Sequence, residues 1–173
     1  HGLSGERLLE MTTSIARKFR KYALVRTGAS ILTGVVIWGF TLALNIELAA
    51  AWGVIAFALN YIPVIGPLIA TVLPTLFTAA QFESWQMAVI VFLGLNVIQF
   101  VIGSYLEPRF SGSALAVSPF VVVLAVFLWT FLWGIPGAFI GVPVTIAMLS
   151  ACELNPATRW IAALLSGPSS EKT

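Results

Sequence analysis

Hydrophobic and polar positions fall in long blocks along this 173-residue chain, with the charged residues confined to the joints between blocks. Ser4–Arg26 places Leu8, Met11, Ile15, Phe19 and Tyr22 at helical spacing, with Arg17, Lys18, Arg20 and Lys21 clustered beside them. The spacing predicts an amphipathic basic helix within residues 1–26. Such a helix either lies on an anionic membrane face or serves as a connector whose cations anchor topology. Four uncharged runs follow: Thr27–Ile46, Leu48–Phe82, Ser84–Leu106 and Phe110–Cys152. The first and third are long enough as helices for one crossing of a hydrocarbon core about 30 Å thick.

The second and fourth runs are too long for one crossing, and each carries Pro and Gly near its middle, in "NYIPVIGP" and "LWGIPGAFIGVP". Proline removes an amide donor and clashes with the preceding turn, so each run should divide into two short helices. Limbs of about 14–15 residues, ~22 Å long, are expected on either side of each break. Ser118 and Pro119 read as an N-cap and first-turn pair for a limb ending at Trp133. The expected fold is all-α: a polytopic helical membrane protein with two Pro/Gly-broken helical hairpins, either re-entrant or fully spanning.

Its transmembrane domain should cover residues 27–153, as span 27–46, broken hairpin 48–82, span 84–106 and broken hairpin 110–152. The remainder, 154–173, reads as a cytoplasmic tail, with Asn155–Leu165 interfacial and Gly167–Thr173 disordered. If each hairpin crosses an even number of times, Arg109, Arg159 and Lys172 join the N-terminal cations inside, while Glu47 and Glu83 face out. Every Lys and Arg is then cytoplasmic, as the positive-inside rule requires, and so are both termini. Trp52, Trp85, Trp129 and Trp133 fall near segment ends, where amphipathic rings favour the interface, whereas Trp38 lies mid-span and reads as packing.

Composition strengthens the membrane reading. Charged residues make up 9% and hydrophobic ones 59%, with mean hydropathy +0.98. Soluble domains carry about 25% charged residues. The single cysteine, Cys152, excludes an internal disulfide framework and reads as a small packing residue. His1 and Gly2 read as a tag remnant, and the polar, basic start does not resemble a signal peptide. No Asp occurs, and no spaced His, Cys or Asp set offers a metal site or catalytic triad. Neither cofactor nor nucleic-acid partner is expected, and an intramembrane enzyme is the weakest function class.

Broken backbone survives at membrane depth only where protein or a wet cavity shelters it, and paired interruptions in two hairpins point to a transporter's substrate region. The alternative is a tight turn between packed helices near one surface. Candidate pathway or gating residues are Asn60, Pro63, Gly66 and Pro67 at the first break, and Gly134, Gly137 and Pro143 at the second. Asn96 and Gln99, three apart on one helix face, join them. An intramembrane amide either glues helices or lines a pathway. Glu107 and Arg109 flank Pro108 at a membrane boundary; they form a structural pair, or Glu107 binds a proton or cation during transport.

Four segments in this order resemble the autoinducer-2 exporter (AI-2E) family of prokaryotic transporters. They are "RKYALVRTGASILTGVVIWGFTLAL", "ALNYIPVIGPLIATVLP", "YLEPRFSGSALAVSPFVVVLAVFLWTFLWGIPGAFIGVPVTIA" and "ELNPATRWIAALL", covering roughly Arg20 to Ser166. The family pattern falls on Asn60, Pro63, Gly66, Glu107, Pro108, Gly112, Ser118, Pro119, Trp133, Gly134, Gly137 and Pro143. The resemblance implies the C-terminal portion of an inner-membrane secondary transporter. It also implies export of a small molecule such as the quorum-sensing signal autoinducer-2, or sodium/proton antiport, by a homo-oligomer in the lipid bilayer. A non-transporting membrane scaffold, with the basic helix recruiting a partner, is the competing class.

Overall fold

The computed structural model describes residues 5–107, 109, 118–154, 158, 160 and 165, and the described residues are helical with short turns. Pro108, Gly112 and most of the predicted tail, including Arg159 and Gly167–Thr173, lie outside them. The helices are α1 (Gly5–Ala43), α2 (Ala49–Leu59), α3 (Ile65–Phe82), α4 (Trp85–Phe100), α5 (Pro119–Trp133) and α6 (Ile135–Leu154). A π-helical segment, Val101–Leu106, continues α4. Among the described residues, four helical stretches are long and apolar enough to cross a membrane: Phe19–Ala43, Ile65–Phe82, Trp85–Leu106 and Ile135–Cys152. The fold is an all-α polytopic membrane architecture.

The chain divides into two compact units, residues 25–110 and residues 1–24 with 111–173. In the first unit, α1 ends in a Schellman closure. Asn45 takes the left-handed conformation at φ 54°, its amide bonding the Leu42 carbonyl at 3.0 Å and the Ile46 amide the Thr41 carbonyl at 3.0 Å. Ile46 is thereby turned into the core with Ile37, Ala56, Ala70, Val91 and Leu95. Gln81, near the end of α3, clamps this turn from the other side. It donates to the Asn45 carbonyl at 3.0 Å and accepts from the Glu47 amide at 2.9 Å.

Glycine sets how closely α1 and α2 cross. A Cβ on Gly34 would stand 2.8 Å from the Gly53 carbonyl oxygen, and one on Gly53 would meet the Gly34 oxygen at the same distance. Small residues allow backbones to approach this closely, the usual device for packing helices in lipid. Trp38, expected to pack mid-span, does so through its Cβ against Gly53 but leaves its side chain half-exposed. Hydroxyls in these helices turn inward on their own backbone. Thr33, Thr41, Thr71, Thr75 and Thr78 each donate to the carbonyl four residues earlier, at 2.8–2.9 Å.

Both long runs fold as antiparallel helix pairs, but their limbs are unequal. α2 has 11 residues against 18 in α3, and α5 has 15 against 20 in α6. Of the matched 14–15-residue limbs expected from the sequence, α5 has the expected ~22 Å, whereas α2 is corrected to ~16 Å, α3 to ~27 Å and α6 to ~30 Å. The reason lies in proline placement. Pro67 falls at the third residue of α3, where its missing amide is an orphan anyway, so the helix begins two residues before it. Pro74 and Pro143 remain inside α3 and α6 without ending them.

In the second unit, α5 starts at Pro119 with Ser118 in the cap position, although the Ser118 side chain makes no cap hydrogen bond. One residue, Gly134 at φ 65° and ψ −145°, separates α5 from α6. Pro136 then lies in the first turn of α6 rather than blocking it. α1 itself shows no joint at residues 26 and 27; the amphipathic stretch and the first apolar run share one continuous helix.

Candidate functional site

The α2–α3 break is a sequence of tight backbone closures. The Asn60 and Ile62 amides bond the Ala56 and Leu59 carbonyls at 3.0 and 2.8 Å, and Gly66 bonds the Ile62 carbonyl at 3.0 Å. Between them, the Ile65 amide bonds the Pro63 carbonyl at 2.7 Å, closing a γ-turn around Val64. Val64 sits at φ 66° and ψ −57°, a conformation costly for a β-branched residue, on the order of 1–3 kcal/mol. The orphaned amides expected at the break are therefore largely paired within the turn itself, and the cost is moved onto Val64.

Gly66 makes that closure possible. A Cβ there would lie 1.9 Å from the Leu59 carbonyl oxygen, so no larger residue fits without opening the turn. The second break repeats the device, since a Cβ on Gly137 would lie 1.8 Å from the Trp129 carbonyl oxygen. Trp129 is fixed in turn by its indole N–H, which donates to Thr145 Oγ1 at 3.0 Å. The two breaks differ in surroundings within their own units. Asn60, Ile62 and Gly66 are buried, whereas Gly134, Ile135 and Pro136 are exposed and only Gly137 is enclosed. Pro63, Pro67 and Pro143 are half-buried.

One turn of α1 gathers Asn60, Tyr61 and Glu107 from separate parts of the first unit. Ser30 Oγ accepts from Asn60 Nδ2 at 3.2 Å, and Thr27 Oγ1 accepts from the Tyr61 hydroxyl at 2.9 Å. Arg26 Nη1 meets Glu107 Oε1 at 2.5 Å, just past the π-helical segment. Arg26 is 8% exposed, and its Nε is buried without a partner. Residues 26, 27 and 30 thus hold both the α2–α3 break and the end of the α4 helix. The sequence separates these partners by as many as 81 positions.

Several expected site residues are rearranged. Glu107 pairs with Arg26, not with Arg109 as expected, because residues two apart on a helix do not face one another. Arg109 instead stacks over the Tyr105 ring, 4.7 Å from its centroid. Asn96 and Gln99 also part company. Asn96 is exposed and donates to its own helix at Phe92 O, 2.7 Å away, whereas Gln99 turns inward with Nε2 buried and unpartnered. In the sequence Arg26 reads only as the last cation of the amphipathic basic helix. Its signal in the sequence was position, one turn before Ser30 and two before Thr33, on the polar stripe of an otherwise apolar helix.

The family described as "AI-2E family transporter" matches residues 4–155. The chain is 39% identical over 145 residues to "AI-2 transport protein TqsA" of Escherichia coli (strain K12), covering 84% of this chain and 42% of that protein. It is 34% identical over 144 residues to a "Putative transport protein" of Haemophilus influenzae, covering 83% and 41%. With "Putative transport protein YhhT" of Escherichia coli (strain K12) it shares 35% identity over 133 residues, covering 77% and 37%. The chain spans about two-fifths of the length of these curated relatives. The matched region holds both breaks, the α1 turn and Glu107, and this multi-pass helical chain belongs to the AI-2E transporter family.

Proposed function

We propose that the chain forms part of the pathway of a secondary transporter that exports a small polar molecule, with the α2–α3 break as its moving part. The name of the TqsA relative supports autoinducer-2 as the substrate. The observation that carries the reading is the gathering of Asn60, Tyr61 and Glu107 onto one turn of α1. Releasing those ties would free a turn that already holds strain at Val64, so opening costs less than unwinding a relaxed helix. Gly134, Gly137 and Pro143 would serve the second hairpin in the same way. Purified protein in liposomes loaded with autoinducer-2 should release it, and Pro63→Ala with Gly66→Leu should slow release at least tenfold. Wild-type rates in that folded double variant would remove the break from the pathway.

A second reading, sodium/proton antiport or cation-coupled export, is favoured by the placement of Glu107, a carboxylate within the helical bundle whose partner is a buried arginine. Ionisable residues enclosed beside a membrane span and paired with an opposite charge mark ion or proton paths. Unchanged pH and sodium dependence in Glu107→Gln would exclude it. Cytoplasmic termini and assembly as a homo-oligomer complete the proposal, supported by the charge distribution and the family resemblance. Reporter fusions at each terminus and crosslinking in native membranes test them.

A further inference from the structure

α1 and α4 run antiparallel along a seam fixed at two points. Arg26 meets Glu107 at one, and at the other the Phe40 ring lies where a Cβ on Gly94 would stand. Between them, Ser30 and Thr33 lie fully buried on α1, one and two turns beyond Arg26. On α4, Gln99 shares the stripe of buried Leu95 and Ile102. In a regular α-helix, Glu107 would fall about 80° away from Gln99 around the axis. The π-helical segment winds less per residue, and the Glu107 amide bonds the Ile102 carbonyl five residues back. Glu107 is thereby set over the stripe that carries Gln99.

The polar groups of this seam divide into spent and unspent. Ser30 accepts from Asn60, the Thr33 hydroxyl donates to the Ala29 carbonyl, and Glu107 holds Arg26. Among the described residues, the buried side-chain polar atoms left without a partner are Arg26 Nε and Gln99 Nε2. Both are N–H donors and neither can accept. Arg26 is only 8% exposed. Buried donors are ordinarily satisfied, and lipid offers them nothing. Two on one seam point to acceptor oxygens brought from outside the chain. Charge narrows the carrier. Glu107 already compensates Arg26, so an anion would add a charge with no partner, and a cation offers nothing to an N–H donor.

We propose that Arg26 Nε and the Gln99 amide are successive stations for an uncharged molecule carrying carbonyl or hydroxyl oxygens, ~12 Å apart along the α1–α4 seam. The inference rests on the reading of the chain as part of a substrate pathway, and it names the class of substrate. Arg26 keeps its charge on Glu107 through Nη1 and offers Nε to the oxygen. Gln99 offers its amide N–H groups further into the Trp85–Leu106 stretch. The Arg26 station lies on the turn that ties Asn60 and Tyr61, beside the α2–α3 break.

The test is nuclear magnetic resonance of the purified chain, carrying heavy nitrogen in its arginine and glutamine side chains. The probes are dihydroxyacetone, an uncharged hydroxyketone, and glycolate, an anion of similar size. Arg26→Lys and Gln99→Met identify the two N–H signals by deleting them. Should Arg26→Lys fail to fold, Glu107→Gln identifies the Arg26 signal by displacing it. Dihydroxyacetone should shift both signals saturably, at concentrations at least tenfold below any response to glycolate. Signals that stay still at the highest dihydroxyacetone concentration mean donors met by water only, and overturn the site. A stronger response to glycolate overturns the uncharged class. Binding is read here without transport, so the shifts should persist in the Pro63→Ala, Gly66→Leu variant whatever its export rate, and the site and the pathway reading fail separately.

Discussion

Gly66 rests against the Leu59 carbonyl so closely that a single added carbon would stand 1.9 Å from the oxygen. Neither partner can yield, because both are backbone at a turn whose amides are already committed. Gly66→Ala should therefore destabilise the protein by about 2–3 kcal/mol, the cost of forcing an extra methyl into packed structure. Gly28→Ala, in the interior of α1 with open space around the site, should instead gain about 0.5–1 kcal/mol from helix propensity. Thermal unfolding in detergent, followed by tryptophan fluorescence, separates the two.

Gly137 and Gly134 should fail differently although they lie three residues apart. Gly137→Ala meets the Trp129 carbonyl oxygen at 1.8 Å and acts through collision. Gly134→Ala meets no atom within 4 Å but must adopt φ 65° and ψ −145°, so it costs about 1–3 kcal/mol through backbone strain alone. Replacing Trp129 with a smaller residue should rescue neither, because the obstruction at Gly137 is a main-chain oxygen. Melting curves of the two singles and of each combined with Trp129→Ala check this.

At Val64 the expectation runs opposite to the usual penalty for glycine. Val64→Gly removes a β-branched side chain from φ 66° and should leave stability unchanged or raise it by about 1 kcal/mol. Val54→Gly, inside α2, should lower it by about 0.5–1 kcal/mol. Paired thermal midpoints measured in one detergent decide between strain and ordinary propensity.

The amide of Asn60 and the hydroxyl of Ser30 are buried together at 3.2 Å. A double-mutant cycle with Asn60→Ala and Ser30→Ala should return a coupling of about 0.5–1.5 kcal/mol. Zero coupling, read from chemical unfolding of the four proteins, would mean that the two groups do not depend on one another.

Arg26→Met leaves Glu107 enclosed without its cation and should cost about 3–5 kcal/mol. The double variant Arg26→Met with Glu107→Met should recover most of that loss, since neither charge remains to be compensated. Unfolding midpoints of the two variants make the comparison.

Much of this architecture was legible locally. Charge-free runs marked the apolar segments, and Pro–Gly clusters at residues 63–67 and 134–137 marked the breaks, because both effects act within a few residues. Limb lengths are not legible in the same way, because a proline in the first turn of a helix costs nothing, and Pro67 occupies such a place. Arg26 was missed for the opposite reason. Its partner lies 81 residues away, and only the antiparallel run of α1 beside α4 brings the two together. Glu107 and Arg109 look like a pair in the sequence, yet helical geometry turns them apart. The division between exposed Asn96 and inward-facing Gln99 likewise depends on which side of α4 meets the core.

The inward-turned threonine hydroxyls carry a mechanical consequence. Each of the five in α1 and α3 already donates within its own helix, so these groups offer little directional grip between helices. Over that length neighbouring helices meet through dispersion, which resists separation far more than sliding. The directional ties of the unit lie instead at its two ends, where residues 26–30 hold their distant partners and where Gln81 grips the Asn45–Glu47 turn, and the length between them is the part with least resistance to sliding.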